Sequence, residues 1–116
     1  MDVQAVSIAL PVRDIDAALA WYRQALELGE PDLVPMEGLV EFDLGVIWLQ
    51  LTTSPDTAGQ DGIRLTFSVE DAAQEHERLA DLGMTVTELE RVEGAVEFFE
   101  LVDPDGNRIG FVAELA

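Results

Sequence analysis

The sequence predicts an α+β fold of two βαβββ units related by internal duplication, and three observations predict it. The chain repeats itself at half length. Val12-Arg13-Asp14 matches Val69-Glu70-Asp71 at an offset of 57, and Ile47-Trp48-Leu49-Gln50-Leu51 matches Asn107-Arg108-Ile109-Gly110-Phe111 at an offset of 60. Each half shows the period-two apolar alternation of strands and the three-to-four spacing of one helix. Finally, Phe98 to Val112 reads as strand, tight turn, strand. Asp103-Pro104-Asp105-Gly106 suits a type I turn, because the first Asp bonds back to the backbone, Pro104 presets φ and Gly106 is welcome at the fourth position.

Taken in order, Val6-Ser7-Ile8-Ala9-Leu10 alternates so that Val6, Ile8 and Leu10 face a core while Ala5, Ser7 and Ala9 face away. Asp14 or Asp16 offers an N-cap for a helix running to about Leu28, with Ala18, Leu19, Tyr22 and Leu26 as its apolar stripe and Gly29 as its stop. Leu33 to Leu51 returns to a strand pattern, with Gly45 at a turn, and Thr52 to Gly62 is a loop. Ile63 to Val69 opens the second unit as a strand. Asp71 then starts a helix that closes at Leu82-Gly83. Each sheet lays its apolar face on its own helix and leaves the other face to shape a cavity. The expected organisation is one domain over 1–116, with units of about 1–55 and 60–116.

Composition narrows the chemistry. A chain of 116 residues that is 48% hydrophobic supports a core and argues against disorder. The lack of cysteine excludes disulfides, thiolate metal sites and cysteine nucleophiles. Met1-Asp2-Val3-Gln4 has no basic region before an apolar one, and no apolar run approaches the roughly 20 residues that span a bilayer. A cytoplasmic protein with no membrane partner is expected. There are 24 acidic residues against 6 arginines and no lysine, a net charge of −18. Such a field repels nucleic acid and attracts cations. Two readings stay open: a solvated acidic surface, and steering of a cationic ligand.

The paired pattern of Leu10-Pro11-Val12-Arg13-Asp14 leading to Ala20-Trp21-Tyr22, then Phe67-Ser68-Val69-Glu70-Asp71, then Asp103-Pro104-Asp105-Gly106-Asn107, resembles the vicinal oxygen chelate superfamily. That group includes glyoxalase I, extradiol dioxygenases, fosfomycin-resistance enzymes and bleomycin-resistance proteins. The resemblance spans essentially the whole chain. It implies cupped mixed sheets with helices packed on the outside, and homodimerisation as a family habit. It does not by itself imply an activity, because one fold hosts both enzymes and binders.

The resemblance also places the metal-holding positions of the enzymes at Ser7, Gln50, Arg64 and Gly110. The enzymes usually carry His or Glu there, with Gln in some. Only Gln50 is a plausible ligand, Arg64 puts a permanent cation where the metal belongs, and Gly110 offers no side chain. An open catalytic centre needs about three protein ligands. The expectation is no metal, no cofactor and no catalytic residue. Glu100, on the cavity side of its strand, adds one carboxylate and with Gln50 makes two ligands at most. His76, in step with Ala72 and Leu79, reads as packing or surface. Ser7 and Ser68 lack a matching base for nucleophilic catalysis.

What remains is a binding constellation. Alternation puts Val46, Trp48 and Gln50 on one side of their strand and Ile47, Leu49 and Leu51 toward the helix. Arg64, Thr66 and Ser68 oppose Ile63, Leu65, Phe67 and Val69. Trp48, Gln50, Arg64, Phe98, Glu100 and Ser7 are the candidate ligand-binding residues, a pocket with aromatic walls and a few polar anchors. The competing reading has Trp48 and Phe98 filling a closed core or a dimer seam, with Arg64 and Glu100 neutralising each other. The functional expectation is a metal-free protein that sequesters an organic ligand such as an antibiotic, cationic and aromatic in character. The alternatives are a metal-dependent lyase or dioxygenase of the glyoxalase type, and a non-catalytic structural or regulatory module.

Overall fold

Alternating residues make the first strand, β1 (Ser7–Val12), and the same alternation returns in β4 (Trp48–Thr53). The two run parallel, with Ser7 opposite Trp48 and Leu10 opposite Leu51. β3 (Leu39–Asp43) pairs antiparallel with β4, and β2 (Leu33–Met36) with β3, giving a mixed sheet of order β1-β4-β3-β2. The computed structural model describes residues 1–60 and 65–115. The chain divides into two compact units, Met1–Gln60 and Asp61–Ala116.

In the first unit, Leu10, Val12, Val40, Phe42, Leu49 and Leu51 are buried on one face of the sheet. Helix α1 (Ile15–Ala25) supplies Ala18, Tyr22 and Ala25 to the same core. Asp14 is the N-cap, its carboxylate accepting from the backbone N–H groups of Asp16 and Ala17 at 3.0 and 3.2 Å. Val6 does not join the core as the alternation suggested. It precedes β1 and is exposed, and Val12 closes the buried row instead. The helix also ends before Leu28. Its C-cap is Leu26, Glu27 takes φ +55°, and the Leu28 N–H reaches the Arg23 carbonyl at 2.9 Å. That bond closes a Schellman turn two residues ahead of the expected Gly29 stop. Gly45 does sit in the turn before β4, but Val46 lies in that bend, exposed, rather than on the strand. The loop after β4 begins at Ser54, two residues later than the sequence indicated.

The second unit repeats the plan. β5 (Leu65–Ser68) runs parallel to β9 (Arg108–Glu114), and β8 (Val96–Val102) pairs antiparallel with β9. Two short strands, β6 (Thr85–Val86) and β7 (Glu90–Val92), both pair with β8, so a split edge stands where the first unit has one strand. Helix α2 (Ala72–Asp81) is capped by the Asp71 carboxylate on the Gln74 N–H and closes through Gly83 at φ +79°. Its buried Leu79 shares the core with Leu65, Leu101, Ile109 and a stack of Phe99 on Phe111, whose centroids are 5.0 Å apart. Ile63 and Arg64 lie outside the described residues.

The register carries the duplication further than the motifs do. Ala9 pairs with Gln50 in the first unit, and Thr66 with Gly110 in the second. Those are the offsets of 57 and 60 seen in the sequence. No helix among the described residues is long and apolar enough to cross a membrane.

Candidate functional site

Each sheet has one face against its helix and one face free of it, and the candidate side chains fall on the helix-free faces. In the first unit, strand alternation and pairing put Ser7 beside Trp48, and Gln50 between Ala9 and Glu41. Trp48 and Gln50 are half-buried, and Ser7 at the strand end is exposed. Glu41 was not singled out from the sequence. The register brings it in: Glu41 and Glu100, 59 positions apart, lie directly across from the equivalent residues Gln50 and Gly110.

In the second unit the helix-free face holds a cleft of about 550 Å³ lined by Thr66, Thr87, Glu88, Glu90, Phe98, Glu100, Gly110 and Val112, with Phe99 and Phe111 behind. Phe98 and Glu100, both expected here, are therefore brought together. Glu90 stands directly opposite Phe98 across the β7–β8 pair. The backbone of Glu100 is pinned: its N–H donates to the Thr87 hydroxyl at 2.7 Å, and its carbonyl accepts from the Thr87 N–H at 2.8 Å. Its carboxylate accepts from Arg108 Nη1 at 3.1 Å. Arg64, the expected neutralising partner, lies outside the described residues; among the described residues, Arg108 pairs with this carboxylate.

His76 faces the other way. Its ring meets Phe99 edge-on at 5.0 Å, and Nε2 donates to the Thr87 carbonyl at 2.8 Å. It is a packing residue between α2 and the sheet, as its spacing implied.

Of the four positions that the resemblance assigns to a metal, the three among the described residues do not suit one. Ser7 and Gln50 supply neutral oxygens only. Gly110 supplies nothing, and the space a side chain would need there is taken. A Cβ on Gly110 would stand 2.9 Å from the Thr66 hydroxyl oxygen and 3.3 Å from its methyl group. Among the described residues, no group of three or more His, Cys, Asp or Glu is gathered so as to hold a metal ion. A hard divalent cation needs several charged or imidazole ligands, and this donor set does not provide them.

What the second cleft does provide is an aromatic wall, apolar Val112, two hydroxyls and three carboxylates. An aromatic face can stack a planar group, and carboxylates attract positive charge.

In structure, the chain is similar to a glyoxalase / bleomycin resistance protein from Catenulispora acidiphila, with a TM-score of 0.81, 28% identity, and 97% of this chain and 100% of that one covered. It is also similar to an antibiotic binding protein from a Streptomyces species, at 0.81, 21% identity and 99% coverage of both chains. A fosfomycin resistance protein from Listeria monocytogenes superposes at 0.81 with 17% identity, covering 99% of this chain and 96% of that one. No curated protein matches in sequence. A family model matches residues 4–111, nearly the whole of both units, and the chain therefore belongs to the Glyoxalase/Bleomycin resistance protein/Dioxygenase superfamily.

Proposed function

We propose that this chain is a metal-free binding protein that sequesters an organic, cationic and aromatic ligand such as an antibiotic. The observation that carries the reading is the second unit's cleft, where Phe98 offers a stacking face amid Glu88, Glu90 and Glu100. The net charge of −18 supports it by concentrating cations near the protein. The ligand-contacting residues are Phe98 and Glu100 in that cleft, Trp48, Gln50 and Ser7 on the first unit's helix-free face, and Arg64. In this reading no bond is made or broken. The aromatic side chains stack on the ligand, the carboxylates orient its charge, and removal from solution is the activity.

A cytoplasmic homodimer is part of the same proposal. It is supported by Leu33, Val34 and Met36, which are all exposed on edge strand β2. Sedimentation of the purified protein tests it. A monomer at micromolar concentration would remove the dimer.

The binding reading is tested by titration calorimetry against cationic glycopeptides and planar aromatic cations. Affinity better than about millimolar is expected, corresponding to more than about 4 kcal/mol, and it should weaken steeply with added salt. Failure of every such ligand would sink the proposal. Metal retention after incubation with Ni, Zn, Mn and Fe and dialysis tests the competing lyase or dioxygenase reading. Near-stoichiometric metal would favour that reading.

A further inference from the structure

We infer that Arg108 is a selectivity residue of the second unit's cleft: it pairs with Glu100, and a ligand cation competes with it for that carboxylate. This rests on the binding reading above. The argument begins with the repeat. Glu41 and Glu100 stand at equivalent places, each directly across from a residue of the last strand in its unit, Gln50 or Gly110. The residue diagonal to that carboxylate on the same face is Trp48 in the first unit and Arg108 in the second, again 60 positions apart. One copy sets a neutral indole beside the carboxylate and the other sets a permanent cation there.

The contact is positioned to compete with a ligand. Glu100 lines the cleft while Arg108 is not among the lining residues, so the guanidinium reaches the carboxylate from the rim. Arg108 Nη1 lies 3.1 Å from Glu100 Oε1, with the two side chains 53% and 32% exposed. An ion pair that solvated is weak and readily exchanged. A ligand cation that approaches Glu100 from the Phe98 side, away from Arg108, also meets the face of Phe98 and the carboxylate of Glu90 opposite it. A neutral aromatic molecule stacks on Phe98 and leaves the Arg108–Glu100 pair intact. The pair therefore sets how much positive charge a ligand must carry to engage Glu100.

The test uses N-methylacridinium as the cationic probe and acridine, kept neutral in mildly alkaline buffer, as its uncharged counterpart. Fluorescence titration should show R108Q binding the cation about threefold more tightly than the unaltered protein, the scale of one exposed ion pair. Acridine affinity should not change. In an E100Q background the R108Q gain should vanish. R91Q makes the same change in net charge at a residue paired with Glu93, and it should leave the cation's affinity unchanged. If the unaltered protein binds the cation and R108Q fails to tighten it, or if R91Q tightens it equally, the inference is overturned and the binding reading stands. If neither probe binds the unaltered protein or R108Q, both fall together.

Discussion

The two units share one strand plan but treat the turn before their last strand in opposite ways. In the first, four residues separate the paired positions Asp43 and Trp48, and Asp43 is exposed, its carboxylate accepting from the Gly45 N–H at 2.8 Å. In the second, five residues separate Val102 and Arg108. The added residue lets the turn aspartate fold inward. Asp103 is 4% exposed and Asn107 7%. One oxygen of Asp103 accepts from the N–H groups of Asp105 and Asn107, and the other accepts from the Asn107 side-chain amide at 2.8 Å. Gly106, at φ +94°, completes the turn with its N–H on the Asp103 carbonyl. A repeated turn has become a solvated bend in one copy and a buried polar network in the other. The network sits next to Arg108 and three residues from Gly110, so it fixes the strand that borders the cleft.

The largest expected effect tests that contrast. Asp103→Ala strands three donors in a buried turn and should cost about 2–4 kcal/mol of stability, read as a shift in the urea midpoint at constant slope. Asp43→Ala, which removes one exposed bond, should cost no more than about 0.5 kcal/mol. Equal losses would mean that burial of the second turn adds nothing.

The next effect concerns the two helix-free faces. Trp48→Ala should weaken binding of an aromatic cation about tenfold, near 1.4 kcal/mol, with the melting temperature nearly unmoved because Trp48 lies off the helix core. Phe98→Ala should weaken it less, by the smaller ring. Unchanged affinity in Trp48→Ala would remove Trp48 from ligand binding.

A smaller effect separates Gln50 from its counterpart. Gly110→Ala forces a methyl group against Thr66 and should cost about 1 kcal/mol, with Thr66→Ala in the same chain restoring most of it. Gln50→Ala, half-buried beside Ala9, should fall within about 0.5 kcal/mol of the parent. A neutral Gly110→Ala would show that the position still accepts a side chain, and would weaken the argument that its place as a ligand has been lost.

The parts of this molecule visible in the sequence are those set by neighbours in the chain. Asp14 and Asp71 cap helices because a capping carboxylate needs only the next two or three N–H groups. The assignment of faces at Trp48, Gln50, Phe98 and Glu100 follows from period two and needs no partner. The Asp103 turn is likewise local. The pairing of Glu100 with Arg108 was missed because it depends on the diagonal between two strands. Glu41 was passed over because its neighbours are not repeated in sequence, and only the register aligns it with Glu100. Val6 and Val46 are apolar residues just outside strands, where alternation continues in the sequence after the hydrogen-bonded ladder has ended. The split of β6 and β7 against one β2 has no evident signal in Thr85 to Val92.

The smallest effect lies at the helix ends, where the units differ by one side chain. Both helices close with a Schellman turn: Leu28 N–H on Arg23 carbonyl at 2.9 Å in the first, and Met84 N–H on Leu79 carbonyl at 3.2 Å in the second. The residue that must turn left-handed is Glu27 at φ +55° in the first unit and Gly83 at φ +79° in the second. A side chain in that conformation costs about 1 kcal/mol, offset in part because glycine makes the unfolded chain more flexible. Glu27→Gly should therefore raise stability by about 0.5 kcal/mol, while Gly83→Ala should lower it by about 1 kcal/mol. The pair is read as opposite shifts in melting temperature. If Glu27→Gly destabilises instead, the Glu27 side chain holds interactions that outweigh its backbone strain, and the early end of α1 is selected by that side chain rather than tolerated despite it.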